Sequence, residues 1–245
     1  MATKITKTKK PTAATQGTLK AKILKIIFKS LLWFFGITIF LVIFFKWVPV
    51  PFTPLMITRA FEERSKTKSE YQLRHDWIPI EDISVNAQKA VIASEDGTFV
   101  DHNGFDFRAM QQAFKNNSKG KKLKGGSTIS QQTAKNVFLW QGRSYLRKAL
   151  EAYFTFLIEL IWGKERIMEV YLNSIEMGDG VFGIEAATQF WYNKPCKSLT
   201  KREAAGIAAI LPNPRKFKAN KSTSYIENRK TKIVKRMGYI RTLDF

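Results

Sequence analysis

An uncharged apolar run near the N-terminus constrains this chain more than any other feature. Residues 30–45 read SLLWFFGITIFLVIFF and contain no charged side chain. With its apolar flanks the run reaches the about 20 residues that a helix needs to span a bilayer. A soluble core helix would carry polar residues at helical spacing, and a signal peptide would end at a small-residue cleavage site, whereas Lys46-Trp-Val-Pro49 follows here. We therefore predict a retained transmembrane helix over residues 23–48.

The charge of the chain is unevenly distributed. Its 245 residues include 41 Lys and Arg against 20 Asp and Glu, a net charge of +21, yet the first carboxylate is Glu62. Residues 1–22 form a basic tail, and residues 2–20 within it lack a periodic apolar pattern, which predicts that they are disordered. The positive-inside rule places this tail in the cytoplasm and residues 49–245 on the other side of the membrane. The net charge requires an anionic partner, and this topology argues against nucleic acid and favours anionic lipid or a phosphorylated substrate.

Residues 49–245 show helix signals and no alternating strand pattern, so we predict one mainly α domain. Thr128–Gln131 and Thr200–Glu203 read as capping boxes at helix starts. Residues 145–162 are rich in large apolar side chains and are predicted to form the central buried helix. Residues 115–124 form a basic loop that contains glycine. A single cysteine and two histidines argue against a disulfide framework and a multi-histidine metal site.

The first candidate for chemistry is an acidic segment, residues 93–106. It contains Glu95, Asp96, Asp101 and Asp106 together with His102 in an otherwise basic protein. A glutamate in a partly apolar setting can act as a general base. The alternative is a solvated helix end followed by a turn, because most surface acids have no chemical role.

Two further candidate segments carry cations. Residues 124–136 place two glycines before a capped helix start, where free backbone N–H groups suit an anion; a P-loop is excluded because Gly126 stands where lysine is required. In the second segment, Arg147 and Glu151 are four residues apart on a predicted helix whose apolar residues suggest a partly buried Glu151. The alternatives are an ordinary capped helix and a surface ion pair of little energetic weight.

These three segments, in this order, resemble signature motifs of the peptidoglycan glycosyltransferase family, and two later segments extend the match to residues 85–217. The matching residues are Glu95-Asp96, Phe99, His102, Gly104 and Asp106; Gly125–Gln132 with Lys135-Asn136; Arg147-Lys148 with Glu151; Ile167–Asn173 with Gly178, Gly183-Ile184 and Ala186-Ala187; and Ala204–Leu211 with Pro212 and Pro214. Because the sequence contains no transpeptidase segment, the resemblance is to the monofunctional members of the family.

The resemblance implies a fold, a reaction and a location. The fold would be a lysozyme-like helical domain with a small mobile membrane-proximal lobe near residues 115–124. The enzyme would polymerise lipid II into β-1,4 glycan strands, with inversion, and release undecaprenyl pyrophosphate. It would be a single-pass protein of the cell inner membrane with a periplasmic catalytic domain. Expected partners are lipid II, the growing glycan strand and proteins of cell-wall synthesis or division. The resemblance implies no cofactor with certainty and leaves open a divalent cation, Mg or Mn.

The resemblance also implies roles for individual residues. Glu95 would be the general base, and Glu151 would position cations, hold a metal or assist the leaving group. The donor pyrophosphate would be bound by Lys135, Arg143 and Arg147. The other candidates for substrate binding, directly or in support, are Ser127, Gln131, Gln132, Asp96, Asn136 and Lys148.

Two functions of other kinds compete with this interpretation. A lysozyme-like hydrolase would also use two carboxylates, but cations around Glu151 serve no purpose in cutting an uncharged glycosidic bond. A membrane-anchored binding protein would use its basic surface alone, but the aromatic residues have core spacing and not that of a base-stacking platform.

Overall fold

The N-terminal apolar segment forms a single long helix. The computed structural model describes residues 13–64, 73–118, 126–240, 243 and 245. Its first element, α1, is Ala13–Trp47. Within α1, Leu19–Trp47 is long and apolar enough to cross a membrane, with a mean hydropathy of 2.4. The chain divides into two compact units, Met1–Phe44 and Phe45–Phe245.

Helix α1 begins earlier than the sequence predicted. Residues 13–22 are helical, so the prediction of disorder was wrong for residues 13–20, while residues 1–12 lie outside the described residues. Extending a helix that is already nucleated costs far less than starting one. Ala, Leu and Lys all have good helix propensity, and they predominate in this stretch.

The second unit is mainly helical, as predicted. Its helices are α2 (Pro54–Arg64), α3 (Val85–Glu95), α4 (Phe107–Ser118), α5 (Ile129–Phe138), α6 (Tyr145–Ile161), α7 (Gly163–Ser174), α8 (Ile184–Tyr192), α9 (Lys201–Ile210) and α10 (Ser224–Met237). The capping boxes of Thr128 and Thr200 are confirmed at the starts of α5 and α9. Residues 115–118 of the predicted basic loop end α4, and residues 119–124 lie outside the described residues.

A small sheet was missed by the sequence analysis. Among the described residues, strands β1 (Arg74–His75), β2 (Glu176–Gly178) and β3 (Val181–Phe182) pair in the order β1-β3-β2. Strand β3 is parallel to β1 and antiparallel to β2. The strands are too short to show alternation. Asp179-Gly180 was the available signal, because this pair favours a two-residue hairpin turn and Gly180 adopts φ 71°.

The core is built around α7 and α9. Ile167, Tyr171 and Leu172 of α7 are completely buried, and residues 204–210 of α9 are buried without interruption. Ala204, Ala205, Gly206, Ala208 and Ala209 among them have small side chains, so other helices can approach α9 closely. Helix α3 packs against α9 and α10, and α5 packs against α6 and α7.

Helix α6 is amphipathic, so its prediction as the central buried helix was wrong. Phe154 and Ile158 are buried, but Phe156 and Leu160 are 61% and 71% exposed. Apolar content alone does not specify how many faces of a helix have packing partners. Gly163, with φ 77°, separates α6 from α7 as predicted.

Candidate active site

Glu95 is the last residue of α3, and both of its carboxylate oxygens are held by neutral donors. The hydroxyl of Ser94 lies 3.0 Å from Oε1, and the amide Nε2 of Gln132 lies 3.3 Å from Oε2. Within the described residues Glu95 forms no ion pair. A half-buried carboxylate that is oriented but not neutralised is suited to accept a proton.

The amide of Gln132 is oriented by Tyr171 of α7. The Tyr171 hydroxyl donates to Gln132 Oε1 at 3.5 Å, which leaves Nε2 facing Glu95. Burial, followed by the negative charges of Glu95 and Asp96, raises the pKa of Tyr171 well above its ordinary value. The phenol therefore stays protonated at neutral pH and remains a donor.

Asp96 performs a different task from its neighbour Glu95. It is 6% exposed, and its carboxylate accepts from His102 Nε2 at 3.0 Å and from the backbone N–H of Ile129 at 2.9 Å. The second bond places a negative charge at the N-terminus of α5, where the helix dipole favours it. Asp96 thus fixes the acidic segment to α5 and is directed away from open solvent.

The acidic segment is also pressed against α6. Gly104 adopts φ 85°, and a Cβ there would lie 2.8 Å from Thr155 Cγ2 and 2.9 Å from Glu159 Cγ. The hydroxyl of Thr128 donates to the Gly104 carbonyl at 2.7 Å. Glycine is required here for both conformation and space.

Glu151 of α6 is the centre of a cation cluster. Its side chain is buried, and Arg147 Nη1 and Lys148 Nζ lie 3.1 and 2.5 Å from its two oxygens. The Arg147 side chain is 12% exposed, and its Nε is buried with no hydrogen-bond partner among the described residues. The expectation of a buried Glu151 beside cations is confirmed, and the surface ion pair is excluded.

Lys135 of α5 interacts electrostatically with this cluster. Burial lowers the pKa of its ammonium; the Glu151 carboxylate opposes this effect, and the charges of Arg147 and Lys148 add to it. Arg143 is exposed immediately before Ser144, the N-cap of α6. Lys135, Arg147 and Lys148 together carry more positive charge than the carboxylate of Glu151 neutralises, which suits a multiply charged anion such as a diphosphate. Among the described residues, Arg143 forms no hydrogen bond or ion pair with this cluster.

The remaining candidates for substrate binding differ from one another in exposure and in hydrogen bonding. Ser127 is exposed next to the α5 cap. Gln131 is 2% exposed, and its Oε1 accepts from the backbone N–H of Thr128 at 3.0 Å. Asn136 is 7% exposed. The structure therefore uses Gln131 in the helix cap and brings Gln132, not Gln131, to Glu95.

The donor set around Glu151 does not fit a divalent cation. Both of its carboxylate oxygens are already ion-paired, so a metal would have to displace Arg147 and Lys148. Among the residues that the structure describes, no group of three or more His, Cys, Asp or Glu side chains could hold a metal.

The chain is similar to proteins of one known family. Residues 62–238 match the family model described as Transglycosylase. A biosynthetic peptidoglycan transglycosylase of Caulobacter vibrioides is 52% identical over 200 residues, which cover 82% of this chain and 84% of that protein. The protein of the same name from Bdellovibrio bacteriovorus is 50% identical over 215 residues, 87% and 85% of the two chains. The one from Bacteroides thetaiotaomicron is 47% identical over 219 residues, 89% and 88% of the two chains. The chain belongs to the transglycosylase family, has its lysozyme-like helical fold and is a peptidoglycan glycosyltransferase.

Proposed function

We propose that the enzyme polymerises lipid II into β-1,4 glycan strands with inversion at the donor anomeric carbon and release of undecaprenyl pyrophosphate. The observation that carries this proposal is the double role of α5. Gln132 contacts Glu95, and Lys135, three residues later, faces the cluster around Glu151. Three residues of helix correspond to a rise of about 4.5 Å. A sugar with a diphosphate at its anomeric carbon can therefore reach both groups at once.

Glu95 is the proposed general base. It takes the proton of the acceptor 4-hydroxyl as the oxygen attacks the donor anomeric carbon. Ser94 and Gln132 hold the two carboxylate oxygens without neutralising them, which supports this role. A positioned general base contributes about 10²–10⁴-fold to a rate.

Lys135, Arg143, Arg147 and Lys148 are the proposed ligands of the donor pyrophosphate. Their positive charge stabilises the negative charge that develops on the leaving diphosphate. The two ion pairs of Glu151 support a role in positioning these cations and argue against direct proton donation to the leaving group, because its carboxylate is buried and already occupied. The cation cluster and the family together argue against the hydrolase and binding-protein alternatives.

The proposed location is the cell inner membrane. Helix α1 would anchor the protein, with the lysine-rich N-terminus in the cytoplasm and residues 49–245 in the periplasm. The lipid-linked donor and the growing glycan strand would then be reached from the membrane surface. Proteins of cell-wall synthesis or division are the proposed protein partners.

The test is an extension assay with the full chain in detergent, labelled lipid II and a gel that resolves glycan length. We expect Glu95→Gln to lower the rate by at least about 100-fold while lipid II binding is retained. Asp101→Asn is the matched control, because Asp101 is an exposed carboxylate of the same segment. Glycan synthesis by Glu95→Gln at a tenth of the wild-type rate or more would overturn the proposed role of Glu95.

A further inference from the structure

The hydroxyl of Ser94 lies between the proposed base and the end of another helix. Its Oγ is 3.0 Å from Glu95 Oε1 and 3.3 Å from the backbone carbonyl oxygen of Ala208. A serine hydroxyl carries one proton and can donate it to only one of these acceptors at a time. Ser94 therefore has two alternative hydrogen bonds that differ by rotation of a single O–H.

Arg229 of α10 holds both Ser94 and the end of α9. Its Nη2 lies 3.5 Å from Ser94 Oγ, and its Nε donates to the Ala209 carbonyl at 3.1 Å. The last carbonyls of a helix have no partner within that helix. Arg229 supplies a donor to one of these carbonyls in α9, that of Ala209, and Ser94 can supply one to Ala208 when its O–H is turned away from Glu95. This arrangement fixes the Ser94 side chain beside Glu95.

We infer that Ser94 and Arg229 are positioning residues for Glu95. Ser94 orients the carboxylate and adapts to its protonation state, and Arg229 holds the Ser94 oxygen in place. The inference deepens the proposed function and rests on Glu95 being the general base. Neither residue touches substrate in this scheme.

The proton inventory of the step is balanced. While Glu95 is a carboxylate, the Ser94 hydroxyl donates to Oε1, a charge-assisted hydrogen bond. The acceptor 4-hydroxyl then gives its proton to Glu95, its oxygen bonds to the donor anomeric carbon, and the bond to the pyrophosphate breaks. Glu95 is now neutral, and the Ser94 O–H turns to the Ala208 carbonyl without losing a hydrogen bond. Release of the proton from Glu95 to solvent restores the starting arrangement.

The first test compares Ser94→Ala with Ser94→Thr in the lipid II extension assay. We expect Ser94→Ala to lower kcat about tenfold with KM for lipid II unchanged, because the lost bond orients the base and does not bind substrate. Ser94→Thr keeps a hydroxyl and should restore kcat to within about threefold of wild type. A residue that only stabilised the fold would lower Tm without separating kcat from KM in this way.

The second test uses two arginines of α10. Arg229→Gln should lower kcat about three- to tenfold, as expected for the loss of one hydrogen bond that orients the Ser94 oxygen. Arg236→Gln is the matched control: Arg236 lies on the same helix and donates to the Ala93 carbonyl at 3.5 Å, but within the described part of the chain it forms no hydrogen bond or ion pair with Ser94 or Glu95. We expect its kcat to equal that of wild type.

The outcomes separate the two proposals. If Glu95→Gln is inactive while Ser94→Ala and Arg229→Gln both retain wild-type kcat, the inference is overturned and the proposed function stands. If Glu95→Gln retains activity, the proposed function itself fails. If Ser94→Ala does not fold, Arg229→Gln decides the question alone, since equal kcat values for Arg229→Gln and Arg236→Gln contradict the inference.

Discussion

Gln132 of α5 donates from Nε2 to Oε2 of Glu95, the last residue of α3, across 3.3 Å. Helix α5 packs against α6 and α7, whereas α3 packs against α9 and α10. Helix α5 also carries Lys135 toward Glu151. The proposed base on α3 and the proposed cation site on α6 are therefore connected through one rigid element. Changes in α5 are expected to affect both halves of the reaction together.

Gln132→Ala should lower kcat about tenfold, because Glu95 loses the donor that holds Oε2. The loss of binding affinity for lipid II should be smaller than the loss of kcat. Steady-state extension kinetics measure both quantities, with Gln111→Ala on the exposed face of α4 as the control. Equal losses in kcat and affinity would instead indicate that Gln132 binds substrate.

As pH rises, donor binding should begin to weaken at a lower pH than it would if Lys135 had the pKa of an ordinary lysine. Burial lowers the pKa of Lys135 from its ordinary value of 10.5, so its positive charge disappears as pH rises through that lowered value. Lys135→Arg keeps a charge that does not titrate in this range and should remove the Lys135-dependent decline. The dissociation constant of a diphosphate-containing donor analogue, measured against pH for both proteins, provides the check.

Glu151→Gln should destabilise the protein by about 1–3 kcal/mol, because a buried arginine loses the carboxylate that compensates its charge. Lys148 is half-exposed and contributes less to this loss. The control is Asp82→Asn, which breaks an exposed pair with Lys197 and should cost less than about 0.5 kcal/mol. Denaturant titration followed by near-UV circular dichroism measures both. An unchanged free energy of unfolding for Glu151→Gln would show that the pair adds nothing to stability.

Gly104→Ala should cost about 1–3 kcal/mol in stability and also lower the rate of glycan synthesis. The added Cβ meets α6 at less than van der Waals distance in a backbone conformation that alanine rarely adopts. Gly97→Ala in the same segment is the control, since a Cβ there meets nothing within 4 Å and Gly97 lacks a positive φ. Similar stability losses for the two variants would contradict this account of Gly104.

Features encoded locally could be predicted from the sequence. The apolar run predicted α1, and Thr128 with Gln131 predicted the cap of α5, because the interacting residues are close in the chain. The spacing of Arg147 and Glu151 likewise predicted their ion pair. In each case the geometry of one helix determines the contact.

Features that depend on distant segments could not be predicted. The burial of α6 depends on which neighbours cover each face, and its apolar content gave no information on that. Arg229 reaches Ser94 across 135 residues of sequence, with no local pattern to indicate the contact. Gln131 is different, because a local pattern, the capping box, already indicated that its side chain bonds to the backbone at the start of α5. That pattern argues against Gln131 as a substrate ligand and does not apply to Gln132.

The burial of Glu151 beside its two ion-pair partners affects the last step of the proposed reaction, the release of the diphosphate product. Because this carboxylate remains beside Arg147 and Lys148, these cations keep a counter-ion when no diphosphate is bound. When the diphosphate departs, the carboxylate of Glu151 still neutralises part of the positive charge of the cluster. Release of the diphosphate therefore does not leave several cations without a counter-ion in a partly buried site. In the proposed reaction, this internal anion favours repeated turnover over tight retention of the product.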